Sequence, residues 1–428
     1  MTVESAIAAA QQWNPPPLAT RLQGLRRFAA LLTHRSEDMA SLITRATAKP
    51  ITLSRAEVMR ALSTLQGTIA TAAAMSPRHL QVGKLHGWAQ VHRLPLGVVL
   101  AVTPFNFPLN LALHKLAPAH AAGCPVLWKP SPQAPGVAES VRSLMTEAGI
   151  DAGAVVVCPW SNEEVEAACA DHRLAVMTFT GSVAVGRHLQ GLTRRARSLL
   201  ELGGNAAVIL DQVRDPAPVA AKVAAAACAH AGQVCISVQR IFHPVGSPEW
   251  PGLLQEAFRA LPQGDPWREE TVCGPVISVA AKERISQVLS GYRDAGGTVL
   301  CGGTWDGLVL APTLIAGVAP SHPLVRDTEI FAPIATLHPY HDLDQAVDLV
   351  NDTPFGLQAA LYNNDEKATQ RAFERLQVGT LVLNEVPSQR DDRLPYGGMK
   401  DSGVGREGTF ESVFDYCQFH VLYHPGSG

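Results

Sequence analysis

Charge is scarce in this chain of 428 residues, and neither sign dominates. Only 17% of residues are charged, 35 Lys and Arg stand against 38 Asp and Glu, and the net charge is -3 with neutral His. A protein that binds nucleic acid shows a basic face or stripe. The one short basic cluster here, Arg194, Arg195 and Arg197, reads as solvated surface. No apolar run is long enough to span a bilayer, because the best stretch, 94–128, is broken by Pro104, Asn106, Pro108, Asn110 and Lys115. The opening residues lack a basic segment and include Glu4, unlike a secretory signal. The eight cysteines form no C-x-x-C pair, which argues for reduced thiols in a cytoplasmic protein rather than a disulfide frame. Neither a membrane nor a nucleic acid is an expected partner, and no resident metal is expected.

Apolar residues make up 46% of the chain, ample for a large core of more than one folding unit. Leu and Ala at spacings of three and four predict helices over 4–12, 18–33, 36–47 and 56–75. Residues 80–95 alternate polar with apolar (Leu80, Val82, Leu85, Trp88, Val91), as in a hairpin with one wet face. Strands and helices then alternate. Strands are expected over 97–102, 126–128, 154–158, 175–179 and 199–202, and helices over 108–122, 133–148, 163–170 and 183–192. Buried strands alternating with helices imply a parallel sheet that binds ligands beyond its strands' carboxyl ends. A second α/β block spans about 206–396, with strands at 207–210 and 379–383 and helices at 216–231, 279–295, 343–351 and 366–376. Residues 411–424 read as a strand, and Gly426-Ser427-Gly428 as a disordered end.

Two motifs mislead. The only strict G-x-G-x-x-G begins at Gly403, in a Gly-rich loop near the C-terminus, without the strand and helix that a dinucleotide fingerprint requires. Cys417, His420 and His424 have a metal-like spacing, but a strand sends odd and even positions to opposite faces. His338 and His341 flank a Pro-Tyr and read as loop residues.

Other residues sit where chemistry is possible. Asn106 follows the first sheet strand, and its amide is a neutral donor suited to an oxyanion; it could equally cap the next helix. Lys129 closes the second strand, where a cation could meet a cofactor or simply face solvent. Gly181-Ser182 lies between a strand and a helix start, where free N–H groups attract phosphate. Glu201 precedes Gly203-Gly204, which suggests close backbone approach, and a carboxylate there can take a proton from water. Cys235 follows a helix in Gly232-Gln233-Val234-Cys235, where small residues leave room around the sulfur; any one cysteine is otherwise a buried small hydrophobe.

Seven segments stand out together: Thr103-Pro104-Phe105-Asn106-Phe107-Pro108, Trp128-Lys129-Pro130-Ser131, Phe179-Thr180-Gly181-Ser182, Glu201-Leu202-Gly203-Gly204, Gly232-Gln233-Val234-Cys235, Glu329-Ile330-Phe331 and Pro395-Tyr396-Gly397-Gly398. In this order they resemble the aldehyde dehydrogenase superfamily from the first helices to the tail. The flavour is that of members acting on lactaldehyde, phosphonoacetaldehyde or, without phosphorylation, glyceraldehyde phosphate. The resemblance implies an α/β fold: a Rossmann-type parallel-sheet cofactor domain (1–78 and 96–205), an α/β catalytic domain (206–408) and a small β oligomerisation element (79–95 and 409–428). It implies a homodimer or homotetramer.

The resemblance also implies the site. Cys235 is the nucleophile, Asn106 and the Cys235 N–H the oxyanion donors, Glu201 the base for water, and Lys129 is placed with both the catalytic and the cofactor residues. The cofactor, NAD or NADP, falls to Lys129, Ser131, Thr103, Pro104, Phe105, Gly181, Ser182, Gly186, Leu202, Gly203, Glu329 and Phe331. Arg390 and Phe107 are candidate substrate contacts, although Arg390 and Arg393 could equally be surface charges balanced by Asp391 and Asp392. Glu407 matches a position on a proton path. Where NAD-preferring relatives carry Glu after Lys-Pro-Ser, this chain has Pro132, so NADP is expected to be tolerated and even preferred. Trp160 replaces a usual Gly and could alter the adenine pocket or shape only a loop. The chain is expected to lack a leading segment of several tens of residues found in relatives. A CoA-acylating dehydrogenase, a non-catalytic member of the fold and a Cys–His hydrolase are the competing readings.

Overall fold

The computed structural model describes residues 1–83 and 87–426. Leu85 of the expected hairpin, and Ser427 and Gly428 of the expected disordered end, lie outside them. Four helices open the chain, Val3–Gln12, Leu18–His34, Ser36–Thr47 and Ile51–Ala73. The fourth begins five residues before the apolar spacing suggests, because Pro50 fixes its entry.

The first sheet runs Val155–Val157, Val126–Lys129, Val98–Val102, Leu174–Thr180 and Arg197–Glu201, all parallel. Gly403–Val404 adds an antiparallel strand at its edge, pairing Gly403 with Glu201. The misleading glycine run, which the sequence division leaves in the catalytic domain, is thus hydrogen-bonded to the first sheet. Helix Asn110–Ala122 is buried on every side and ends at Gly123 in the left-handed region, φ +91°. Its polar residues, Asn110, His114, Lys115 and His120, must therefore find partners inside the protein. The expected helix at 133–148 starts only at Val137, since Pro135 and left-handed Gly136 break its first turn. Trp160 is buried against Ile7 and Cys158 in the core under the first helix, and does not line the main cavity.

The second sheet has seven strands. Six are parallel (Thr313–Ala316, Ile334–Tyr340, Val238–Pro244, Ala206–Leu210, Gln358–Tyr362 and Thr380–Leu383), and Thr298–Cys301 is antiparallel at one edge. His338 is a buried residue of this sheet, not a loop residue; it packs on Phe242 and meets Thr336 Oγ1 at 2.8 Å, and burial drops it to about 3.

Strands Arg78–Gln81, Trp88–Pro95 and Cys417–His424 form a third, antiparallel sheet. The tail is not all strand, because Glu411–Asp415 forms a helical turn first. Cys417 is buried at the strand's start, while His420 and His424 are exposed along it. No helix among the described residues is long and apolar enough to cross a membrane.

Candidate active site

The carboxyl ends of the first sheet's strands and one end of the second sheet face a single cavity of about 710 Å³. Cys235, Asn106, Glu201 and Lys129 all line it, as do Thr103, Pro104, Phe105, Phe107, Ser131, Gly181, Ser182, Leu202, Gly203, Glu329, Phe331 and Arg390. Gly186 does not. A Cβ there would lie 2.3 Å from Leu202 Cδ2, so its role is to let helix Val183–Leu192 pack closely on the sheet. Glu407 lies behind the cavity wall.

Cys235 does not directly follow a helix. Helix Pro216–Cys228 ends, and His230 and Ala231 then take left-handed φ of 51° and 55°. Gly232 continues the turn at φ +67°, where a Cβ would meet Ala332 O at 2.0 Å. Gln233 pins the loop from both ends of its amide: Nε2 donates to His230 O (3.1 Å) and Oε1 accepts from Ile277 N (2.9 Å). Cys235 is half-buried, whereas the other seven cysteines are buried. Burial pushes its thiol up to about 11.

Asn106 Nδ2 donates to Gln233 O at 2.9 Å, which ties the first sheet's loop to the cysteine loop. Its Oδ1 is buried and has no partner among the described residues. Thr103 at the same turn is fixed by Trp128 Nε1 at 2.9 Å. Glu201 is 6% exposed, and its Oε2 is buried without a hydrogen bond. Burial, reinforced by the Glu407 charge, raises its carboxyl well above the ordinary range. A cavity of about 10 Å³, room for one water, lies between Glu201 and Glu407. Lys115 Nζ closes it with a 2.6 Å ion pair to Glu407. Burial would raise Glu407, but Lys115, His114 and Arg390 overcome that and hold it well below the ordinary range.

The residues around the other end fit a dinucleotide. The N-cap Ser182 lines the cavity and makes no side-chain cap hydrogen bond, so the first N–H groups of helix Val183–Leu192 are left without a capping side chain. Lys129 is half-buried there with no ion-pair partner among the described residues, and burial lowers it. Glu329 Oε1 accepts one N–H, from Gly204 at 3.1 Å, and its second oxygen has no hydrogen bond among the described residues. Burial raises Glu329 to about 7. Its loop is held by Gln239, which bonds Gly204 O (2.8 Å) and Ile330 N (2.6 Å). Gly203 lets the Glu329 carboxylate come close, since a Cβ there would lie 2.5 Å from Glu329 Oε2 and push it aside.

The third wall carries cations that sequence reasoning placed outside or missed. Arg390 is buried, not surface-balanced: its guanidinium stacks 3.8 Å over the Tyr396 ring and its Nε has no hydrogen bond. Asp391 pairs with exposed Arg393, but Asp392 is buried and does balance Arg390, at 3.5 Å from its Nε, and Glu407 Oε1 lies 3.7 Å from its Nη2. Arg60, from helix Ile51–Ala73, lines the same wall and grips Asp392 with Nη2 at 2.7 Å and Nε at 3.0 Å. Lys49 and Glu57 form a buried ion pair beside Phe107. Only Lys115 gave a signal in the sequence: a charge inside an otherwise apolar helix must be paired. His230 is the one histidine on the cavity among the described residues; it makes no bond to Cys235, and burial lowers it well below its ordinary value.

Residues 1–422 match the profile described as "Aldehyde dehydrogenase family". The chain belongs to that family. Among curated relatives it is 35% identical over 408 residues to a 3-sulfolactaldehyde dehydrogenase of Priestia aryabhattai, covering 94% of this chain and 85% of that one. Aldehyde dehydrogenase 21 of Physcomitrella patens, solved with its reaction product succinate, superposes with a TM-score of 0.92 at 32% identity, covering 99% and 89%. The glyceraldehyde-3-phosphate dehydrogenase GapN of Methanocaldococcus jannaschii, complexed with NADP, gives 0.94 at 28% identity, covering 99% and 94%. The α/β architecture expected from the strand–helix alternation is thus that of the family.

Proposed function

We propose that this aldehyde dehydrogenase oxidises a small anionic aldehyde to its carboxylate with NAD or NADP. The observation that carries the reading is that the one half-exposed cysteine shares a single cavity with the Asn106 amide, a buried carboxyl without a hydrogen bond on Oε2 and a buried guanidinium. Cys235 Sγ attacks the aldehyde carbon, and the backbone N–H of Cys235 and Asn106 Nδ2 receive the developing oxyanion. For this the Asn106 amide exchanges its bond to Gln233 O for the substrate oxygen. The nicotinamide, when bound, accepts the hydride. The thioester left on Cys235 is then hydrolysed by water whose proton Glu201 takes. Its raised carboxyl suits a base that works near neutral pH. Glu407 and Lys115 behind Glu201 offer the proton a way out through the water-sized cavity.

Glu329 holds a ribose hydroxyl of the cofactor, the start of helix Val183–Leu192 its phosphates, and Lys129 and Ser131 the adenosine end. Phe105 and Phe331 meet edge to face, centroids 6.3 Å apart, and exclude water beside them. Since residue 132 is proline, no carboxylate there repels a 2′-phosphate; NADP is accepted at least as well as NAD. Arg390, with Arg60 beside it, holds the substrate's anionic end. The names of the relatives, an enzyme for a sulfonated aldehyde and one solved with succinate, agree with that charge. The three sheets support a division into cofactor, catalytic and oligomerisation parts, although Gly403–Val404 of the catalytic part pairs into the first sheet. The eight free cysteines favour a cytoplasmic setting.

The test is a panel of small aldehydes, neutral and anionic, against NAD and NADP, read by absorbance of the reduced cofactor. Cys235→Ala is expected to abolish oxidation, and retained activity overturns the scheme. Arg390→Ala is expected to raise KM at least tenfold for a carboxylated or sulfonated aldehyde, while leaving KM for propanal within twofold. Equal effects on both sink the anionic-substrate reading.

A further inference from the structure

The Cys235 sulfur has one hydrogen-bond partner among the described residues, the hydroxyl of Tyr396 at 3.1 Å. That hydroxyl has no other partner among them. Tyr396 is 6% exposed and rigidly held: its backbone exchanges two bonds with Glu407, at 2.7 and 2.6 Å, and its ring packs with Ile236 and Leu357. The Arg390 guanidinium lies 3.8 Å over the ring face.

A thiol attacks as its thiolate, and a fold normally favours that form with a helix N-terminus, an imidazolium or an ammonium close by. Cys235 has none of these. It follows a helix C-terminal end and a left-handed turn, and His230 makes no bond to it. The charged groups facing it are Glu201 and Glu329, which disfavour the anion, and Arg390, which favours it. With burial added, the sulfur is left a poor nucleophile unless a donor compensates.

We propose that the Tyr396 hydroxyl donates a hydrogen bond to the Cys235 thiolate and so keeps the attacking sulfur available, with Arg390 polarising the donor through the ring. The phenol keeps its own proton, because burial holds Tyr396 far above its ordinary value. The thiol proton leaves to water in the cavity, so no proton passes between the two side chains. The inference rests on Cys235 being the nucleophile. It gives Tyr396 a direct part in the reaction and Arg390 a second use beside substrate binding.

The experiment is the pH dependence of iodoacetamide alkylation of the whole protein without cofactor, counted by mass. The seven buried cysteines leave Cys235 as the thiol that reports. Tyr396→Phe keeps the ring and removes only the hydroxyl. A hydrogen bond to a charged group is strong enough to move the midpoint up by about one pH unit, which slows alkylation at pH 7 about tenfold. The Tm is expected to stay within about two degrees. An alkylation profile identical to the parent's overturns the proposal, as does a shift in Arg390→Met without one in Tyr396→Phe. Because this readout needs no turnover, it is separate from Cys235→Ala, whose retained activity would overturn the underlying reading instead.

Discussion

Glu201 and Glu407 are two buried carboxyls whose surroundings push them in opposite directions. Glu201 meets burial and a like charge, whereas Glu407 has Lys115 at 2.6 Å. Burial and the like charge favour the neutral form of the first, and Lys115 favours the ionised form of the second. Glu201→Gln should therefore release one equivalent of reduced cofactor per site and then stall, with steady-state turnover down by about 10² to 10⁴; rapid-mixing absorbance separates the two phases. In the parent, turnover should climb with pH as Glu201 loses its proton, and this limb should vanish in the variant. Glu329 gives a stability test. Its folded value near 7 lies above the ordinary 4.5, so the fold favours its neutral form. That stabilisation is complete below about pH 4.5 and is lost as pH rises to 7. Urea midpoints at pH 5 and pH 8 should show the parent losing on the order of 1–2 kcal/mol relative to Glu329→Gln.

The first sheet was legible in the sequence because its parallel strands are buried on both faces and read as plain apolar runs, Val98–Val102 above all. Most of the second sheet was not. Val238–Pro244 carries Gln239 and Arg240, and Ile334–Tyr340 carries Thr336 and His338; all four are buried. Their polarity is met inside: Arg240 by the carbonyls of Asn205, Leu349 and Val350, Thr336 by Gln239 O, and His338 by Thr336. Such partners come from distant segments and leave no local pattern. The motif residues around the cavity could be placed because they sit at strand ends. The Arg390 environment could not, because Arg60, Asp392 and Tyr396 meet only through the fold. Helix Asn110–Ala122 depends on a similar long-range contact. Glu57 Oε1 accepts the N–H groups of Leu109 (2.9 Å) and Asn110 (3.1 Å), and Lys49 neutralises the carboxylate. Lys49→Met leaves that charge buried and unpaired, and should cost about 3–5 kcal/mol in chemical denaturation. The same loop carries Asn106, so kcat should fall with stability.

At the scale of the molecule, the third sheet stands apart from both cores. Its outer strand Cys417–His424 exposes Phe419 (63%), Leu422 and Tyr423 (55% each), with an unpaired backbone edge. Apolar strands left open in this way attract further strands, and the family resemblance points to a second copy of the chain. Light scattering at micromolar concentration should give at least twice the 45.6 kDa of one chain, and Leu422→Glu should reduce it towards one.

The two larger sheets, by contrast, are fastened to each other. Gly403–Val404 is paired into the first sheet, and the neighbouring Ser402 Oγ donates to Gly203 O (2.7 Å) and accepts from Gly356 N (2.9 Å). One hydroxyl thus bolts the turn that carries Glu201 to the opposite lobe. A cleft bolted at its floor cannot gape like a jaw. Opening the lobes at this point would break both bonds, so the floor of the pocket, with Phe105 and Phe331 on its lining, is held from two sides.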